Sequence, residues 1–136
     1  MRSFLGQIFG VIITLVVLGC GSSEPVMLKT EGQVIKDGKN FVPEEGENLK
    51  IVFCPMTPDG KPPRNIYLAD VNQKTGAFVA MGPHKKGLPP GKYRVAMELL
   101  KKKKDIFQDK YTIENSPFVF DIDDKSKPIT VDLDKG

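Results

Sequence analysis

Gly87-Leu88-Pro89-Pro90-Gly91-Lys92-Tyr93-Arg94-Val95-Ala96-Met97-Glu98-Leu99 joins a chain breaker to the clearest strand of this 136-residue sequence. Pro89 and Pro90 have no N–H to give a ladder, so the strand starts only after them. From Lys92 onward, Tyr93, Val95, Met97 and Leu99 alternate with Lys92, Arg94, Ala96 and Glu98. Successive strand residues point to opposite faces, which makes one face apolar and the other largely wet. This strand is expected to lie at the centre of the core.

The same period of two recurs on either side. Leu49, Ile51 and Phe53 share a face within Leu49-Lys50-Ile51-Val52-Phe53. Met27 to Ile35 reads as a first strand, closed by Lys36-Asp37-Gly38-Lys39, where Asp-Gly signals a type I′ turn, with a partner near Phe41-Val42. Glu44 to Asn48 forms a turn, and the proline-rich Pro55 to Pro63 segment an exposed loop. Asn65 to Val71 and Gly76 to Met81 make a strand pair around the Asn72 to Gly76 turn, with Phe78 pointing inward. Phe118, Phe120 and Ile122, then Ile129, Val131 and Leu133, supply the last two strands. About seven short strands among 13 Gly and 11 Pro, with no sustained helical period, predict an all-β, seven-stranded antiparallel sandwich.

The N-terminus reads differently. Arg2 and an apolar run from Ile8 to Leu18, broken only by Gly10 and Thr14, have the shape of a secretory signal. The run is shorter than the roughly 20 apolar residues of a membrane span. Val17-Leu18-Gly19-Cys20 places a small residue directly before a cysteine and resembles the lipobox of bacterial lipoproteins. The resemblance implies cleavage between Gly19 and Cys20, a diacylglyceryl group on the Cys20 thiol and acylation of its freed amine. Each buried methylene of such chains contributes roughly 0.8 kcal/mol, and several chains together make a lasting anchor. Residues 1–19 are thus expected to be a signal peptide, 20–26 a lipidated tether and 27–136 one β-domain. Gly21, not Asp, follows the cysteine, which under the enterobacterial sorting rule favours the outer membrane over the inner.

Removing residues 1–19 leaves 117, with 19 Lys and Arg against 17 Asp and Glu, too balanced for a nucleic-acid footprint. No phosphate loop or dinucleotide fingerprint is present, so no cofactor is expected. With the Cys20 thiol acylated, Cys54 is the one cysteine left, so no internal disulfide is expected. It is read as a small buried hydrophobe.

Few residues offer chemistry. His84, the single histidine, lies in Gly82-Pro83-His84-Lys85-Lys86-Gly87, a solvated loop. Asp121, Asp123 and Asp124 with Asp132 and Asp134 could crowd into a weak Ca²⁺ site only if the fold gathers them, and solvated strand ends are the simpler reading. Lys101-Lys102-Lys103-Lys104 is the densest charge run, a candidate contact for anionic headgroups or glycans, or else a gatekeeper beside an apolar strand. There is no Trp, and Tyr67, Tyr93 and Tyr111 are the aromatic residues left over for a sugar platform, with Tyr93 assigned to the core.

Taken in order, Gly32-Gln33-Val34-Ile35-Lys36-Asp37-Gly38-Lys39, Ile51-Val52-Phe53-Cys54-Pro55, Gly76-Ala77-Phe78 and Gly87-Leu88-Pro89-Pro90-Gly91-Lys92-Tyr93-Arg94-Val95 resemble carboxypeptidase-regulatory-like (transthyretin-like) domains of small bacterial lipoproteins. The likeness spans residues 30–134 and implies a Greek-key sandwich without a particular activity. Hydroxyisourate hydrolases, enzymes on a transthyretin fold, use several histidines and end in Tyr-Arg-Gly-Ser. This chain has one His and ends Asp132-Leu133-Asp134-Lys135-Gly136, so that activity is not expected. The sequence therefore points to a non-enzymatic envelope lipoprotein. Its membrane contact is Cys20, and an envelope protein or glycan is its expected partner. Glycan or ligand binding is the alternative function.

Overall fold

The computed structural model describes residues 21, 26–61, 63–125 and 127–136. Nine strands form one continuous sheet: β1 (Thr30–Lys36), β2 (Lys39–Asn40), β3 (Glu47–Pro55), β4 (Tyr67–Val71), β5 (Ala77–Ala80), β6 (Gly91–Lys101), β7 (Lys104–Asp105), β8 (Val119–Ile122) and β9 (Ile129–Asp132). Their order is β2-β1-β5-β4-β3-β6-β7, with β9 added to β1 and β8 to β6. Two short 3₁₀ turns, Pro83–Lys85 and Leu133–Lys135, are the helical elements among the described residues. The expected all-β fold is present, and the sheet curls into a half-barrel around its apolar face.

Seven strands match the expected ones, and the two extra are two-residue pieces that close hairpins. β2 extends Lys36-Asp37-Gly38-Lys39, where Asp37 (φ 52°) and Gly38 (φ 69°) take the type I′ conformation read from Asp-Gly. Phe41 continues that pairing by donating its N–H to the Val34 carbonyl at 2.9 Å. Val42 remains exposed, so the partner strand lies earlier than Phe41-Val42. The first strand starts at Thr30, later than Met27, because Leu28 turns away to bridge Leu88. The all-antiparallel expectation needs one correction: β9 runs parallel to β1, from Gly32↔Ile129 to Ile35↔Asp132. Parallel neighbours need a long crossover, and here the rest of the domain supplies it.

β6 is the spine. It pairs with β3 along nine residues, from Glu47↔Lys101 to Pro55↔Tyr93, and with β8 on its other flank. Tyr93, Val95, Met97 and Leu99 are buried, as the alternation demands, and so are Leu49, Ile51 and Phe53 opposite them. Phe78, Val34, Ile122, Ile129 and Val131 complete the core. Ala96 departs from the wet-face expectation: it is buried on the outer face, beneath the segment 111–114. Where β4 stops short of Leu49, the Gln73 side chain stands in for a strand. Its amide donates to the Leu49 carbonyl at 2.9 Å and its oxygen accepts the Leu49 N–H at 2.8 Å. A buried edge N–H and C=O are thereby satisfied.

Candidate functional site

Gly19 and Cys20 lie outside the described residues. Val26 is exposed, and the path of the chain after it is pinned at Leu28. Leu28 donates to the Leu88 carbonyl at 2.8 Å and accepts from the Leu88 N–H at 2.9 Å. The registers Thr30↔Ala80, Ala69↔Ala80, Phe53↔Tyr67, Pro55↔Tyr93 and Gly91↔Ile122 line up one end of the sheet. That end, where the chain enters, is the proximal end. It carries the loops 55–66, 81–90 and 122–128. Lys36↔Lys39, Glu47↔Lys101 and Leu100↔Asp105 mark the distal end.

The lysine run sits at the distal end. β6 spans 11 residues, and at roughly 3.3 Å per residue its far end is about 33 Å from its start. The run forms a tight hairpin. Lys101 pairs with Lys104 across β6 and β7, and Lys102 (φ 49°) and Lys103 (φ 67°) form the turn. Lys101 is also partly neutralised, with its Nζ 3.5 Å from both Glu44 and Glu47. Asp105 then locks the hairpin: its carboxylate accepts the N–H groups of Leu99, Phe107 and Asp109, each at 3.0 Å. Two lysines in left-handed conformation are costly for residues with a Cβ. Replacing them with Asn-Gly (Lys102→Asn with Lys103→Gly) should therefore stabilise the fold by about 1 kcal/mol, or about 4 °C in Tm, measured by thermal unfolding. An unchanged or lower Tm would mean the turn is not type I′.

The proximal end is chemically different. Segments 26–29, 55–66, 81–92 and 122–128 contain eight Lys and Arg against three Asp. The distal segments 36–47, 72–76, 101–110 and 132–136 are nearly balanced, with nine basic residues against eight acidic ones. Exposed large apolar side chains also collect proximally: Val26 is 66 % exposed, Ile66 50 % and Met56 40 %, with Leu68 just inside β4. His84 and Lys85 are exposed on their 3₁₀ turn, both with positive φ. The loop that holds them closes on itself at Gly82 (φ 58°), where a Cβ would overlap the Gly87 carbonyl. Gly87 in turn lies against Leu28, so the basic loop is fastened to the incoming chain.

The five aspartates do not converge. Asp123 and Asp124 lie in the proximal connection, whereas Asp132 and Asp134 are distal. There, Asp134 accepts the Asp37 N–H at 2.6 Å and Asp132 caps the last 3₁₀ turn. Among the described residues no set of three His, Cys, Asp or Glu side chains is placed to hold a metal. The tyrosines are likewise committed to packing. Tyr93 is buried and donates its hydroxyl to the Pro89 carbonyl at 2.6 Å, and burial pushes its pKa up to about 12. Tyr111 is buried, and Tyr67 is half-buried against Tyr93.

Cys54 is buried, as expected for a small hydrophobe, although it points to the outer face of β3 beside its cross-strand neighbour Arg94. Burial raises the thiol pKa, with the Arg94 charge partly offsetting the shift. Arg94 donates from Nη1 to the Ile113 carbonyl at 3.0 Å, while its buried Nε has no hydrogen-bond partner among the described residues. Both residues floor a depression of about 400 Å³ that Lys61 and Glu114 also line. A larger open depression, about 670 Å³, lies over β1, β5 and β9 and presents Glu31, Gln33, Asp70, Asn72 and Thr130.

The proximal surface escaped the reading of the sequence because its charges are dispersed over four separate segments. The available signal was positional: these lysines flank the Gly and Pro breakers that the strand order brings to one end. Comparisons with protein-family models, with curated proteins and with solved structures found no match.

Proposed function

We propose that the chain is a bacterial envelope lipoprotein, anchored through acylated Cys20, whose β-domain is a non-catalytic structural or interaction module. Val17-Leu18-Gly19-Cys20 at the end of a secretory-type apolar run carries this reading, because that order of residues is what thiol acylation and cleavage require. Among the described residues no helix is long and apolar enough to cross a membrane. In this reading the acyl chains supply the attachment, and Gly21 directs the protein to the outer membrane. The curled sheet is read further as a two-layered Greek-key sandwich of the transthyretin-like type. Supporting this, Phe53 of β3 and Phe78 of β5, with β4 between them in the sheet, meet at 5.9 Å between ring centroids. Tyr111, beside β6, reaches across to the Leu133 carbonyl after β9 at 3.4 Å.

The test is Cys20→Ala in the native envelope, with mass spectrometry of the mature N-terminus. The expected result is an uncleaved precursor without lipid mass, lost from the membrane fraction, while the parent shows an acylated Cys20. A parent whose terminus is an unmodified residue other than Cys20 would overturn the anchor. Crosslinking in intact envelopes would identify the partner.

One observation favours the alternative of glycan binding. The 670 Å³ depression presents carboxylate, amide and hydroxyl groups together, the donors and acceptors that a sugar needs. Retention on envelope glycans that is lost with Asp70→Ala and Thr130→Ala would establish that reading over a purely structural one.

A further inference from the structure

We infer that the proximal end of the β-domain is a second membrane contact, a basic surface with apolar tips that lies on anionic phospholipid headgroups. The inference rests on the reading of Cys20 as the lipidated residue, and it adds which face of the domain meets the bilayer and which lipid chemistry that face selects.

Three observations converge. The first is reach. Six residue steps separate Cys20 from Val26, and an extended chain covers at most about 3.6 Å per step, so the end where the chain enters stays within about 20 Å of the anchored sulfur. That end cannot swing away freely either. The paired hydrogen bonds between Leu28 and Leu88 hold the incoming chain against the loop that bears Lys85 and Lys86.

The second is charge. The proximal segments hold eight basic residues against three acidic ones, with Lys29 paired to Glu31 at 3.2 Å and Lys61 to Asp59 at 3.6 Å, while the distal segments are close to neutral. The electrostatic attraction of lysines to an anionic leaflet falls off within a Debye length, about 10 Å at 0.1 M salt. The short tether keeps the proximal loops nearest that range, and with the strands upright on the bilayer the Lys101 to Lys104 hairpin lies about 33 Å further along β6.

The third is the apolar component. Met56, beside Lys61, and Ile66, which lies with Leu68 at the outer face of β3 and β6, are 40 % and 50 % exposed. Basic residues around exposed apolar side chains are the composition of segments that rest in the headgroup boundary. The tip of the 55–66 loop is built from Pro and Gly, and Thr57 and Asp59 hold it through their bonds to Lys61, so the apolar residues are presented on a folded support.

The chain contains no Trp, so single tryptophans report without background. Met56→Trp, Ile66→Trp and, distally, Lys103→Trp are made in the full protein. Each is purified with its acyl mass verified and reconstituted into vesicles of phosphatidylglycerol and brominated phosphatidylcholine. Circular dichroism checks that each retains its sheet. Bromolipid quenching is expected to be several-fold stronger at positions 56 and 66 than at 103, with a blue-shifted emission. The difference should disappear in vesicles without phosphatidylglycerol, at high salt, or with Lys85→Glu and Lys86→Glu added. Equal quenching at all three positions, or stronger quenching at 103, would overturn the inference. So would proximal quenching that is indifferent to lipid charge. A protein that carries no acyl mass would instead refute the anchor reading. The same tryptophans, in the unlipidated full chain with the same vesicles, would then decide the docking surface by itself.

Discussion

Phe53→Ala is expected to lower the unfolding free energy by about 3–5 kcal/mol, the range for emptying a fully buried aromatic site. Phe53 is fully buried on the strand that pairs most extensively with β6. Its ring lies 5.9 Å from that of Phe78 and 6.3 Å from that of Tyr93, so it links β3 both to the far side of the curl and to the spine. Truncation removes apolar burial and leaves a cavity that three strands would have to move to fill. Domains of this size are stable by only about 5–15 kcal/mol, so the variant should unfold at markedly lower urea, read by circular dichroism. Val95→Ala, at the position directly opposite Phe53 on β6, should cost less, about 2–3 kcal/mol, because fewer atoms are removed. Val119→Ala, on an exposed face of β8, should cost little. A Phe53→Ala midpoint equal to that of Val119→Ala would place the core elsewhere.

Gly76→Ala should be as damaging, for a backbone reason. Gly76 closes the β4–β5 turn with φ 72°, and a Cβ there would stand 2.0 Å from the Phe41 carbonyl oxygen. The left-handed conformation alone costs a residue with a Cβ roughly 1–2 kcal/mol. The collision adds to this because the atom in the way is backbone, held by the bond from Phe41 N–H to the Val34 carbonyl. A total of about 3 kcal/mol or more is expected. Gly38→Ala is the control, since Gly38 has a similar φ of 69° with open space around it, and it should lose only the conformational part. Equal losses at the two glycines would show that the chain around Phe41 yields and that the contact is not a constraint.

The alternating faces of β3, β6, β8 and β9 were legible because burial on one side of a strand imposes a period of two on the nearest residues. The Asp37-Gly38 turn was legible because two consecutive positive φ values favour those residue types. Both signals span only a few positions. Strand ends were less legible. Met27 to Lys29 read as strand by composition, but a bridge to Leu88, some sixty residues away, takes Leu28 out of the ladder. The parallel placement of β9 was not legible at all, since alternation is the same whichever way a neighbour runs.

For function, the sequence by itself determined the lipobox reading, because thiol acylation depends on a few contiguous residues. It also set the all-β class and the burial of Cys54. Tertiary structure decided how the charges are arranged. The four consecutive lysines, the most conspicuous feature in the sequence, are spent on a distal hairpin, where Glu44 and Glu47 from another strand's approach hold the first of them. Lysines that never exceed two in a row are gathered at the proximal end from four separate segments. Charge acts through space over roughly a Debye length, and chain neighbours are only a small part of what lies within that distance. The pairing of strands far apart in sequence therefore determined which charges share a surface and which face meets the membrane in the proposed orientation.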